Sequence, residues 1–187
     1  MRHELFGGAL SIEVPEGFVD MSSFRQVPDH QEVFLCSEFD SCLIIELNQR
    51  VEAESDRSAL ATIWNDLAEA NDSRDSQRVL SVEEILTPAL VRDRDGSIPT
   101  TLVLAGEQLV SKYKDALEAA NLVRIHLALI RLACVATDLV VSISAPLEIS
   151  NKSSTAGAGI ADPRQVLLWL NQSLGSLRID RWDIFGE

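Results

Sequence analysis

The stretch "VPDHQEV", residues 27–33, gathers Asp29, His30 and Glu32 next to Pro28 and Gln31, with Arg25 slightly upstream. Two carboxylates and an imidazole this close could be weak metal ligands, part of a turn that starts a strand, or a charged patch offered to a partner. No second cluster of donors completes a coordination shell, so no metal is expected. The other histidines, His3 and His126, are scattered. His126 lies in an alternating apolar run beside Arg124, where a satisfied sheet histidine is the expectation rather than a catalytic base.

The remaining reactive residues name no catalytic centre. Neither H-E-x-x-H nor G-x-S-x-G occurs, and with 29 acids the carboxylate pairings are uninformative. "AGAGIAD" contains Gly157 and Gly159, but Asp162 takes the third glycine's position and no Gly-Lys-Ser/Thr follows. An acid there would repel phosphate, so this is a loop. Cys36, Cys42 and Cys134 form an odd set without C-x-x-C, as expected in a reducing compartment. Cys36 and Cys42 bracket "SEFDS" and could approach across a hairpin. These residues do not exclude an enzyme but name no active site, and no cofactor is expected.

Charge narrows the partners. The chain has 187 residues and a net charge of −13, and residues 1–60 hold 12 acids against 4 bases. Nucleic acid needs a concentrated basic surface and is not expected. A basic protein surface suits the acidic half, although acids also serve simple solubility. A hydrophobic content of 46% fits a globular domain. No apolar run reaches the roughly 18–20 residues that span a bilayer, and the first residues lack the apolar core of a signal peptide. One intracellular domain over 1–187 is expected, with no signature of a homo-oligomer, hence a monomer.

Several elements must position these residues. "GALSIEV", "EVFLC" and "CLIIELNQRV" read as strands. In "SDRSALATIWNDLAEAND", Leu60, Ile63, Trp64 and Leu67 form a helical stripe, ending at Asn71 and Asp72. Strands are then expected at "EILTPALV", at "TTLVLAGEQLVSKY" after a turn around "RDRDGSIP", and at "NLVRIHLALIRLACV". The last should pair antiparallel with "LVVSISAPL" across "ATD". A flexible loop over 151–162 leads to a helix with Asp162 at its N-cap and Pro163 at N1. Its expected stripe is Val166, Leu167, Leu170 and Leu174, with Gly175 closing it. "SLRI" reads as a last strand, and the paired glycines of "LFGGAL" as a bulge or a close backbone approach. Trp64 and Trp169 read as core. The order predicts an α+β domain in which two helices cover an antiparallel sheet.

"PEGFVDMSSFRQVPDHQEVF", residues 15–34, resembles the Mog family of Ran guanine-nucleotide release factors. "LFGGAL" precedes it, and "ALIRL", "TDLVVSISAPL" and "DIFG" follow in the family's order, so the likeness spans nearly the whole chain. Residues 50–100 match only in their pattern of elements. The resemblance implies a PsbP-like fold, a central antiparallel sheet with helices on both faces. It also implies binding of the small GTPase Ran and release of its guanine nucleotide, supporting nuclear protein import from nucleus and cytoplasm. The family's Ran-binding acids correspond to Asp29 and Glu32, with Arg25, Pro28, His30 and Gln31 as lesser candidates. From the residues alone, Pro28 and Asp29 suit the centre of a turn, Glu32 an exposed strand position, and Arg25 either a contact or a counter-charge for Asp20 or Asp29. A passive Ran-binding adaptor and a small-molecule carrier walled by Trp64, Trp169 and Trp182 are the alternatives.

Overall fold

A computed structural model describes residues 2–88, 91–111 and 117–185. Its centre is the hairpin anticipated from the longest alternating run. β8 (Asn121–Leu132) pairs antiparallel with β9 (Thr137–Glu148), turning through Ala133–Val135 and a left-handed Ala136. Alternation sends successive β8 side chains to opposite faces. Val123, Ile125, Leu127 and Leu129 join one buried cluster, while Ala128, Ile130 and Leu132 join another.

Each cluster includes one helix. α1 (Asp56–Ala70) begins in a reciprocal cap: the Ser55 hydroxyl accepts the Ser58 N–H, and the Ser58 hydroxyl accepts the Ser55 N–H. Leu60 and Trp64 of α1 are buried with the first cluster, and Ile63 and Leu67 pack against it. α2 (Pro163–Ser176) starts at Asp162, whose carboxylate accepts the Arg164 N–H at 2.7 Å. Its buried face is Val166, Trp169, Leu170, Ser173 and Leu174.

Two details of α2 correct the sequence reading. Leu167 is 42% exposed, because the helix is rotated so that Trp169 and Ser173 complete the buried face. Gly175 does not close the helix, which runs through Ser176 and is capped by Leu177 in an extended conformation.

The main sheet has seven antiparallel strands in the order β3-β4-β5-β9-β8-β7-β6. These include β3 (Val19–Asp20), β4 (Gln31–Cys36), β5 (Ser41–Gln49), β6 (Gln77–Ile85) and β7 (Thr101–Val110). A small sheet, β1 (Arg2–Leu5), β2 (Leu10–Glu13) and β10 (Arg178–Ile179), joins the two ends of the chain. β1 and β3 were not anticipated, and a strand over "EILTPALV" is corrected. β6 ends at Ile85, while Ala89 and Leu90 lie outside the described residues. The apolar content of "EILTPALV" is misleading because Pro88 supplies no ladder donor. The actual strand is a mostly exposed edge with little apolar alternation.

The loop over 151–162 is tied at several points. The Thr155 hydroxyl donates to Asp40 at 2.9 Å, and the Gly159 N–H donates to Glu38 O at 2.8 Å. None of Cys36, Cys42 and Cys134 forms a disulfide among the described residues. Register explains the first two: Cys36 pairs with Ser41 and Cys42 with Leu35, so the two thiols take opposite faces and cannot bridge.

Candidate functional site

Residues 28–31 form a tight turn closed by the Gln31 N–H donating to Pro28 O at 2.9 Å. Asp29 and His30 therefore hold the central positions and Pro28 the first, one residue away from the sequence reading. The sheet sets this phase, because the Leu47 N–H donates to His30 O at 2.9 Å and anchors the turn to the end of β5. Asp29 and His30 are exposed. Among the described residues, the Asp29 carboxylate has neither a hydrogen bond nor an ion pair. The carboxylate thus stands in solvent on a turn held at both ends.

Beyond the turn, alternation separates the next candidates. Gln31 pairs with Glu46 and donates from Nε2 to its Oε1 at 2.6 Å. Glu32 pairs with Ile45, a buried core residue, and so takes the other face of the sheet. Its Oε1 accepts the backbone N–H of Phe6 at 2.5 Å. Glu32 is therefore not the freely exposed strand residue that the residues alone suggested: it is half-buried and bonded. Burial raises its carboxyl above the ordinary range, the Phe6 amide partly offsets this, and the nearby Asp20 charge adds to the rise.

Arg25 is exposed and forms no ion pair with Asp20 or Asp29 among the described residues. The counter-charge reading is thus removed; Asp20 instead accepts the Ser22 N–H at 2.8 Å. Arg25 borders a cavity of about 390 Å³ whose walls include Met21, Val33, Leu35 and Ile44. Phe24, next to it, is 72% exposed. Phe6 and Glu46, the bonding partners of Glu32 and Gln31, were not anticipated. Each lies far away in sequence: register joins Gln31 to Glu46, whereas Phe6 follows β1 of the small sheet and meets Glu32 only in the folded chain.

The other chemistry considered earlier does not assemble. No group of three His, Cys, Asp or Glu among the described residues stands ready to hold a metal. His126 is buried, but its Nε2 has no hydrogen-bond partner, so it is not a satisfied sheet histidine. Alternation aims it away from the α1 cluster, where no donor or acceptor reaches that nitrogen. Trp64 and Trp169 are core residues, at 3% and 8% exposure. Among the described residues, no helix is long and apolar enough to cross a membrane.

Fold and site together define an α+β protein that presents an acidic turn from one end of a mostly antiparallel sheet. The family model described as Ran-interacting Mog1 protein matches residues 3–146, and the chain belongs to that family. It is 34% identical to the Ran guanine nucleotide release factor of Danio rerio, with 100% of each chain covered. The nuclear import protein mog1 of Schizosaccharomyces pombe is 37% identical, covering 77% of this chain and 76% of that one. Two solved structures share the fold. The Ran-binding protein Mog1p of Saccharomyces cerevisiae superposes with a TM-score of 0.70 at 24% identity, over 96% of this chain and 94% of that one. A mutant of protein Mog1 gives 0.71 at 26% identity, over 100% and 98%.

Proposed function

We propose that this protein binds the small GTPase Ran through the Asp29 turn and promotes release of its guanine nucleotide, in support of nuclear protein import. The observation carrying this reading is the unpaired, exposed Asp29 carboxylate on a turn fixed by both β4 and β5. The names borne by full-length relatives support it. The acidic excess of residues 1–60 supports it too, since a negative field speeds encounter with a basic surface.

The action is regulatory, and no bond is made or broken. A carboxylate can compete with phosphate for the same cationic groups. By linkage, a factor that weakens nucleotide binding tenfold must bind the empty GTPase tenfold more tightly, about 1.4 kcal/mol. The same reading takes the chain as a single monomeric domain of nucleus and cytoplasm that does not bind nucleic acid. It adopts the PsbP-like arrangement with a helix over each face of the sheet, supported by the two separate helix-containing clusters.

A binding titration tests this reading. Empty Ran should bind more tightly than nucleotide-loaded Ran, and Asp29→Lys should weaken both by at least about tenfold without loss of fold. Equal affinity for the two forms would sink displacement. Unchanged affinity of Asp29→Lys would remove the turn from the interface.

A further inference from the structure

Glu32 is placed poorly for offering its charge to another molecule. It shares the sheet face of Phe34 and Ile45, both buried, and its Oε1 is already taken by the Phe6 amide. A carboxylate meant for a partner's cation would gain from the exposure that Asp29 has. Glu32 instead carries the cost of partial burial, which raises its carboxyl above the usual range.

The segment it holds is one that needs holding. Phe6, Gly7 and Gly8 all have positive φ, at 50°, 64° and 84°. Glycines accept this freely, but a phenylalanine there costs on the order of 1 kcal/mol and persists only where its surroundings impose it. Two restraints do so. Glu32 receives the Phe6 N–H, and Arg181 donates from Nη2 to Gly7 O at 2.8 Å. The Phe6 ring packs against the core, while Gly7 is exposed with open space where a side chain would stand. The turn is thus held by two side chains while Gly7 stays exposed. Through Glu32 it is tied to β4, the strand that leaves the Asp29 turn, three positions further along the chain.

We propose that Glu32 is a positioning residue: it holds the Phe6–Gly8 turn as a second contact surface for the GTPase, and that backbone turn meets the partner in place of the Glu32 charge. This rests on the Ran-binding reading above. It predicts that an uncharged acceptor in the same place will serve as well as the carboxylate.

The test compares Ran affinity for Glu32→Gln, Glu32→Ala, Asp29→Asn and Gly7→Asn, with hydrogen exchange of the Phe6 amide read alongside. Glutamine keeps an oxygen for the Phe6 N–H, so Glu32→Gln should bind within about twofold of wild type with that amide still protected. Glu32→Ala should lose the protection and bind about tenfold more weakly. Gly7→Asn suits left-handed backbone and adds bulk in open space, and it should weaken binding comparably. A purely structural role would lower the stability of Glu32→Ala but leave the affinity of its folded fraction intact, and that result overturns the proposal. Equal loss in Glu32→Gln and Glu32→Ala makes the charge itself the contact and also overturns it. So does normal binding by Gly7→Asn. Normal binding by both Glu32 variants with a weakened Asp29→Asn removes the strut but spares the Asp29 reading. Normal binding by all four removes both.

Discussion

Arg131 and Asp138 face each other across the central hairpin, Nε to Oδ1 at 2.9 Å, with side chains only 4% and 0% exposed. The pair is well satisfied. Arg131 also reaches Asp56 in the first turn of α1 and the carbonyl of Val51, while Asp138 accepts the Val51 N–H. A buried ion pair is weak evidence of net stabilisation, but breaking one leaves an uncompensated charge. Asp138→Ala should therefore cost about 3–5 kcal/mol, measured by urea unfolding. A cost under about 1 kcal/mol would mean that water reaches Arg131.

Gly106 lies where α1 packs closely on the sheet. A Cβ there would stand 2.6 Å from the Trp64 ring and 2.9 Å from the carbonyl of Arg78. Neither neighbour can yield cheaply, since the ring is buried and the carbonyl belongs to β6. Gly106→Ala should destabilise by about 1–3 kcal/mol in thermal or chemical unfolding. Pairing it with a smaller residue at position 64 should recover part of the contact strain, and independent losses would argue against this packing.

His126 predicts a pH dependence. Burial lowers its pKa, and the Arg124 charge lowers it further, although Arg124 is itself bound to Glu107. The unfolded chain therefore takes up the proton more readily than the folded one. Stability attached to this group should be fully present above about pH 6.5 and decline as pH falls toward the folded-state value. His126→Leu should flatten the unfolding midpoint between pH 7.5 and 5.5 relative to wild type. Parallel curves for the two proteins would show that this imidazole does not titrate on unfolding.

What could be read from the residues follows from which interactions are local. The β8–β9 hairpin and the Leu60/Trp64 stripe were legible because alternation and helical spacing are written within one element. β6 was not, since an edge strand exposed along most of its length carries little apolar signal. The Asp29 turn was legible in kind but shifted by one residue, because its phase is set by Leu47 in another strand. The tie from Glu32 to Phe6 crosses 26 positions of sequence. Nothing near either residue announces it; the fold must bring β1 and its turn onto β4 first.

Nucleotide release through the Asp29 turn is tested by following a fluorescent guanine nucleotide leaving Ran, with wild-type protein and with Asp29→Lys. Asp29 has no partner within the described fold, so this variant should fold normally and isolate the surface charge. Wild type should accelerate release at saturation, and Asp29→Lys should do so at least about tenfold less effectively at equal concentration. No acceleration by wild type bound to Ran would make the protein a passive adaptor, and equal acceleration by the variant would return residues 28–31 to being only a turn.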